Sequence, residues 1–231
     1  MTTPPFTAVL YDLDGTITDS APGITASLAH TIARLGLPVP SPAELLAWVG
    51  PPLQDSFETF LAAQPDPAQI ERLGEAMTTY RADYWEKGAL DNAVYPGMAE
   101  LMRAVHEAGI PTSTATSKPE TPATKILDAF DLTQYLDVIT GASDDEVRSA
   151  KADVVAEALR RLEARGVDLS RPVLIGDRHH DIEGAAVHGV PTIAVTWGYG
   201  SPAERVGAIA VVDDTTELAS LLGVTVLRGV A

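Results

Sequence analysis

From Tyr95-Pro96-Gly97 to Leu222 the sequence alternates short apolar or β-branched runs with stretches of helical period. This alternation constrains the fold more than any other feature. Strands are expected at Pro111 to Ala115, near Val138, at Val173 to Ile175, at Thr192 to Val195 and at Ile209 to Val212. Helices are expected up to Ala108, from Pro119 to Phe130, from Lys151 to Arg165, up to His188, and from Thr215 to Leu222. Strands that alternate with helices pack as parallel βαβ units with right-handed crossovers, so the fold class is α/β with helices on both faces of the sheet. The run Ala8-Val9-Leu10-Tyr11 predicts one more buried strand at the start of the chain.

Between that first strand and Ile110 the sequence offers no convincing strand. Ile24, Leu28, Ile32 and Leu35 recur at helical spacing, as do Ile70, Leu73, Met77, Tyr80 and Tyr84. Leu53, Phe57, Phe60 and Leu61 outline another helix between Pro52 and Pro65, and Ser41 to Trp48 a shorter one. These stripes read as core contacts of a four-helix unit. The expected division is a discontinuous core, 1–18 with 93–231, and an inserted helical cap, 19–92.

Composition limits the functions open to such a chain. At 231 residues and 45% hydrophobic content it can fill a sizeable interior. It contains no run approaching the ~20 apolar residues of a membrane span and no basic, apolar signal at its start, so a cytoplasmic protein without a membrane partner is expected. With no cysteine, disulfides and thiolate chemistry are excluded. A net charge of −16 argues against a nucleic-acid polymer as partner, because binding a polyanion relies on basic patches. An anionic substrate would need a local positive site smaller than the Debye length of ~8 Å. Of four lysines, Lys118 and Lys151 fall within the segments considered next.

In α/β sheets, ligands bind at the carboxyl ends of the strands. Two strand ends are acidic here. Asp12-Leu13-Asp14-Gly15-Thr16 follows Tyr11, and Val173-Leu174-Ile175-Gly176-Asp177 ends in an acid with Asp181 four residues on. A helix starting near Arg178 would return Asp181 towards Asp177. Thr116-Ser117-Lys118-Pro119 adds hydroxyls and a lysine at a third strand end, and Lys151 opens a helix. Carboxylates beside hydroxyls and an ammonium suit an oxygen-ligated Mg²⁺ next to a nucleophilic carboxylate.

With these residues in this order the chain resembles the haloacid dehalogenase superfamily, in particular its phosphatases of the phosphoglycolate-phosphatase and 5′-nucleotidase-like kind. The resemblance rests on D-x-D-G-T at Asp12 to Thr16, Thr116, Lys151 and G-D-x-x-x-D at Gly176 to Asp181. It implies a Rossmann-like core, an aspartyl-phosphate intermediate and Mg²⁺ dependence. Carried over, it makes Asp12 the nucleophile and Asp14 the acid and base, with Asp14 reaching the metal through its backbone carbonyl. Asp177 becomes a carboxylate ligand, and Asp181 orients the metal or binds it directly. Thr116 and Lys151 would hold the phosphoryl oxygens, with Gly15, Thr16, Ser117 and Lys118 lining the substrate side. Two departures stand out: Ala152-Asp153 follows Lys151 where relatives often have proline, and Ser117 replaces a frequent asparagine. Lys118 is therefore a rival for the phosphate lysine.

Val49-Gly50-Pro51-Pro52 resembles the family's substrate-specificity loop, which assigns Gly50 and Pro51 to the leaving group; a plain connection between helices is the alternative. His179 and His180 are expected at the rim, since neighbours on a helix point about 100° apart and rarely chelate together. The expected activity is hydrolysis of a small phosphorylated metabolite by a monomer or weak homodimer. A phosphomutase and a noncatalytic phosphometabolite-binding module are the alternatives. A dehalogenase would not need Asp14, and a phosphonatase would want a cap lysine, for which only Lys87 is available.

Overall fold

The computed structural model describes residues 4–145 and 147–226. By its contacts the chain divides into two units: one runs up to Asp19 and resumes at Val94, and the other is Ser20–Ala93.

The first unit is built on a five-stranded parallel sheet. Its strands are β1 (Ala8–Tyr11), β4 (Thr112–Thr114), β7 (Pro172–Gly176), β8 (Thr192–Val195) and β9 (Ala210–Val212), in the spatial order β4-β1-β7-β8-β9. Its helices are α5 (Met98–Glu107), α6 (Glu120–Ala129), α7 (Lys151–Glu163), α8 (His179–Ala186) and α9 (Thr215–Leu222). The central strands β1 and β7 read as unbroken apolar runs because both their faces are covered, whereas β4 is Thr112-Ser113-Thr114. Val9 and Tyr11 of β1 join Val173 and Ile175 of β7 under α5 and α9, through Met98, Leu101, Met102, Leu218 and Leu222. Ala8, Leu10 and Leu174 point the other way, onto Val154, Val155, Ala158 and Leu162 of α7 and Ala185 of α8.

At ~25 cal/mol per Å² of apolar surface, each such fully buried aliphatic side chain contributes roughly 1.5–3 kcal/mol. A one-residue slip of β1 would exchange its two faces and forfeit both contact sets.

The register sets the strand ends side by side. Tyr11 is opposite Thr114 on one side and Ile175 on the other. Chain direction across the sheet reverses at β1, so its carboxyl end is the switch point where ligand crevices open in such sheets.

The strand expected near Val138 is reduced to a single bridge, Ser113 to Val138. Backbone bonds persist there, from the Val138 N–H to the Thr112 carbonyl at 3.2 Å and from the Thr114 N–H to the Val138 carbonyl at 3.3 Å. Side chains add to them: Thr112 Oγ1 donates to the Tyr135 carbonyl and Thr114 Oγ1 to the Thr140 carbonyl, both at 2.9 Å. Beyond it, β5 (Thr116–Pro119) and β6 (Gly141–Ala142) form a separate short parallel pair. Where the chain leaves and rejoins this unit, β2 (Thr18–Asp19) pairs with β3 (Ala93–Val94).

The second unit holds α1 (Ala21–Arg34), α2 (Pro42–Leu46), α3 (Leu53–Ala62) and α4 (Leu73–Glu86). Ser41 caps α2 in a reciprocal capping box with Glu44, satisfying donors that the first turn leaves free. Aromatic rings join α3 to α4: Phe57 lies 5.4 Å from Trp48 and 6.2 Å from Tyr80, which stacks on Tyr84. The helix expected from Ile70 begins as a 3₁₀ segment, Pro67–Arg72, and becomes α-helical only at Leu73. Asp66 caps that segment by accepting from the Ala68 N–H, and Ile70 and Leu73 are only half-buried, so little packing holds them to a single α-helical stripe. Lys87 pairs with Asp83 at 3.0 Å.

Candidate active site

Asp12 leaves the end of β1 with its backbone N–H still bonded to the Ile175 carbonyl at 2.9 Å, so the sheet itself fixes its position. The chain then turns tightly: Gly15 donates to the Thr18 carbonyl and Ile17 and Thr18 to that of Leu13. Gly15 has φ +85°, and a Cβ there would stand 2.5 Å from Asp177 Oδ2, so both backbone conformation and space demand glycine. On the neighbouring strand end, Asp181 Oδ2 accepts from the N–H groups of Asp177 and Arg178, at 3.1 and 3.0 Å. These are free donors of the first turn of α8, and the negative carboxylate suits that end of the helix.

Lys151 ties the two ends together. Its ammonium is 2.8 Å from Asp12 Oδ1 and 2.7 Å from Asp181 Oδ1, and it donates to the Ala115 carbonyl at 2.9 Å. Lys118 lies 3.0 Å from Asp14 Oδ2. The two lysines that competed for one role are thus both present, each against a different acid of the D-x-D pair. Thr116 is buried, and its hydroxyl accepts from the Lys118 N–H at 3.2 Å. Ser117 is half-buried beside it, and Thr16 is fully buried with no hydrogen-bond partner for its hydroxyl among the described residues.

Burial dominates the electrostatics. It pushes the Asp12 carboxyl up to about 6, against the lowering pull of Lys151 and with added repulsion from Asp181 and Asp14. Asp177 is raised well above the usual carboxylate range, again by burial first and then by Asp181 and Asp12. Burial alone would drag the Lys151 ammonium down. Asp12 and Asp181 outweigh it, so this lysine is held charged.

Asp12, Asp177 and Asp181 are all buried and offer carboxylate oxygens within 4.8 Å of one another. Asp177 Oδ1 has no hydrogen-bond partner among the described residues. An all-oxygen set with an orphaned buried acceptor fits a hard divalent cation such as Mg²⁺, which would relieve the repulsion that raises these acids. The carboxylate of Asp14 is not in this group, since it faces Lys118.

His179 and His180 are outside the acidic group too. Their rings do not diverge as expected but sit 3.7 Å apart, centre to centre. His179 is the first residue of α8 after extended Arg178, so regular helical spacing does not yet govern it, and Glu204 anchors its Nδ1 at 2.9 Å. Glu204 also binds Arg178 Nε at 2.6 Å. Gly50 and Pro51 lie in the second unit between α2 and α3, both half-buried, with Gly50 at φ +111°.

Sequence reasoning passed over Trp197 and Glu204 and takes Gly198-Tyr199-Gly200-Ser201-Pro202 for an ordinary loop. A glycine-tyrosine-glycine run directly after a central strand was the available signal.

The haloacid dehalogenase-like hydrolase model matches residues 9–195. Among curated proteins, the tyrosine-protein kinase PtkA of Mycobacterium tuberculosis is 41% identical over 192 residues, covering 83% of this chain. The chain spans only 62% of that relative's length. A 5′-nucleotidase of Pseudomonas aeruginosa is 35% identical over 196 residues, 85% of each protein. The crystal structure of a predicted phosphatase from Clostridium acetobutylicum superimposes with a TM-score of 0.83 at 35% identity, covering 93% of this chain and 97% of that one. The acids and lysines at the sheet's carboxyl edge and the match across most of the chain agree: this protein belongs to the haloacid dehalogenase-like hydrolase family.

Proposed function

We propose that the protein is a Mg²⁺-dependent hydrolase of small phosphate monoesters working through an aspartyl-phosphate on Asp12. The observation that carries this reading is the placement of Asp12: its carboxylate is 2.8 Å from the Lys151 ammonium and offers an oxygen within 4.8 Å of those of Asp177 and Asp181. An anionic nucleophile can approach an anionic phosphoryl group only where positive charge offsets their repulsion. Bound by Asp12, Asp177 and Asp181, and by the Asp14 carbonyl as the resemblance implies, Mg²⁺ would supply part of that charge and orient the phosphoryl oxygens.

The chain's own groups then divide the work. A carboxylate oxygen of Asp12 attacks phosphorus in line, forming the acyl-phosphate bond as the bond to the leaving oxygen breaks. Asp14 delivers a proton to that oxygen. It next takes a proton from the attacking water, whose oxygen bonds to phosphorus while the bond to Asp12 breaks, giving free phosphate and restoring the carboxylate. Lys151 and Thr116 hold non-bridging oxygens, with Lys118 and Ser117 beside them. The inserted helical unit, through Gly50 and Pro51, selects the leaving group.

Phosphate release should be assayed with phosphoglycolate, nucleoside 5′-monophosphates and an aryl phosphate, with Mg²⁺ and with excess chelator. Turnover that needs Mg²⁺ supports the reading; undiminished turnover in chelator overturns it. A sugar phosphate isomerised without phosphate release would indicate a phosphomutase. The 41% identity to a protein named a tyrosine kinase favours one second reading, phosphoryl transfer to tyrosine. Transfer of label from the γ-phosphate of ATP to a tyrosine peptide, lost in Asp12→Asn, would establish it.

A further inference from the structure

We infer that the segment Trp197-Gly198-Tyr199-Gly200 is the positioning element that sets the Asp177 carboxylate for the cation, an inference that rests on the cation centre proposed above. After β8 the chain passes over the ends of β7 and β1, and each residue of the segment has a separate task there. The N–H groups of Tyr199 and Gly200 both donate to Asp177 Oδ2, at 2.6 and 3.3 Å. Oδ1 of the same carboxylate has no hydrogen-bond partner among the described residues. One oxygen is thus immobilised by backbone donors while the other is left to a ligand. Outer hydrogen bonds of this kind orient metal-binding carboxylates and tune their affinity.

The glycines are required by distance. A Cβ on Gly198 would fall well inside van der Waals contact with both the Gly15 carbonyl and Asp177 Oδ2, and one on Gly200 would collide with the Asp177 carbonyl. The backbone therefore lies directly on the carboxylate it holds, with no room for the side chain of any other residue. Trp197 fixes the segment to the opposite strand end, where its indole N–H donates to the Thr16 carbonyl at 3.1 Å. The Tyr199 hydroxyl donates to Asp19 Oδ1 at 2.9 Å and anchors the far side. The segment is a brace between the loop that carries Asp12 and the carboxylate of Asp177. Its residues act through Asp177.

The test is Mg²⁺ binding by titration calorimetry without substrate, with the electron paramagnetic resonance spectrum of bound Mn²⁺ as a second readout. Wild type should bind Mg²⁺ and Asp177→Asn should not; a wild-type protein that binds none would overturn the cation centre and the brace together. Given wild-type binding, Gly198→Ala should raise the Mg²⁺ dissociation constant tenfold or more and alter the Mn²⁺ spectrum. Saturating Mg²⁺ should restore part of its turnover. A folded Gly198→Ala protein with wild-type affinity and spectrum would overturn the brace while leaving the cation centre standing. If Gly198→Ala does not fold, Trp197→Phe decides, because it keeps a ring in place and removes only the indole N–H. A loss of threefold or more in affinity at unchanged melting temperature supports the proposal, and unchanged affinity overturns it.

Discussion

The two acidic strand ends sit side by side, yet they hold their carboxylates by different means. At the end of β1 each acid faces an ammonium: Asp12 meets Lys151 and Asp14 meets Lys118. At the end of β7 the oxygens are held mainly by backbone N–H groups, those of Tyr199 and Gly200 on Asp177 and those of Asp177 and Arg178 on Asp181. A lysine side chain can swing its charge to a new partner when a phosphoryl group arrives, whereas a peptide N–H moves only with the main chain that carries it. The first end is therefore arranged to exchange partners during a reaction and the second to stay fixed. Lys151 belongs to both, through Asp12 and Asp181.

The largest effect should come from breaking the exchangeable end at its nucleophile. Asp12→Asn keeps the shape and removes the anion, and phosphate release should fall by roughly 10⁴-fold or more. Near-normal turnover in a folded variant would remove Asp12 from the mechanism. Next, Lys151→Ala should cost on the order of 10²–10³-fold in kcat/KM, with both rate and binding affected, since it removes a charged donor from a buried site. Lys118→Ala should cost less, because Lys118 faces Asp14 while Lys151 binds both Asp12 and Asp181. The reverse ranking, with both variants folded, would place the phosphate lysine after Ser117.

Acidity sharpens the contrast further. Asp12 titrates near 6 in the folded, metal-free protein, above its ordinary value of 3.8. A raised carboxyl stabilises the fold fully below the unfolded value, and that contribution is lost as pH rises through the folded one. Melting temperature without metal should therefore fall between pH 4 and pH 7, by on the order of 5 °C. Mg²⁺ should reverse the fall at pH 7 by displacing the proton. A metal-free melting temperature that rises steadily across this window would show that burial does not control Asp12.

The smallest effect is expected far from either strand end. Glu157 of α7 pairs with Arg160 and Arg161 and is lowered to about 2, chiefly by its hydrogen bond to Arg160. Its contribution is present above the unfolded value near 4.5 and is lost as pH falls through about 2. Glu157→Gln should lower the melting temperature at pH 7 by ~1–3 °C, the difference vanishing near pH 2, with turnover unchanged.

What could be read from the sequence follows the same division. Strands buried on both faces must be continuous apolar runs, so β1, β7 and β8 announce themselves and so do the acids that end them. Lysines are few in this chain, which made Lys118 and Lys151 conspicuous. The fixed end was less visible. Asp181 could be placed by helical spacing, but the donors on Asp177 are main-chain groups that any residue possesses, so Gly198-Tyr199-Gly200 reads as an ordinary loop until its closeness to Asp177 is known. The 3₁₀ start at Pro67–Arg72 was hidden for another reason: Ile70 and Leu73 keep the spacing of a helical stripe without its burial.

The strand pairing of β1 also bears on how the protein reaches its working state. Val9 pairs with Thr112 and Ala8 with Pro172, so the strand waits for partners synthesised much later, the second of them only after the inserted unit and half of the remaining core. Such long-range parallel pairing makes folding slow and leaves an apolar edge open meanwhile. Asp12 is made well before Asp177 and Asp181, and its own backbone N–H is held by the Ile175 carbonyl of β7. A nascent or truncated chain that stops before β7 would lack both the strand that holds Asp12 and the acids of the second strand end, so competence should appear only once β7 and α8 are made.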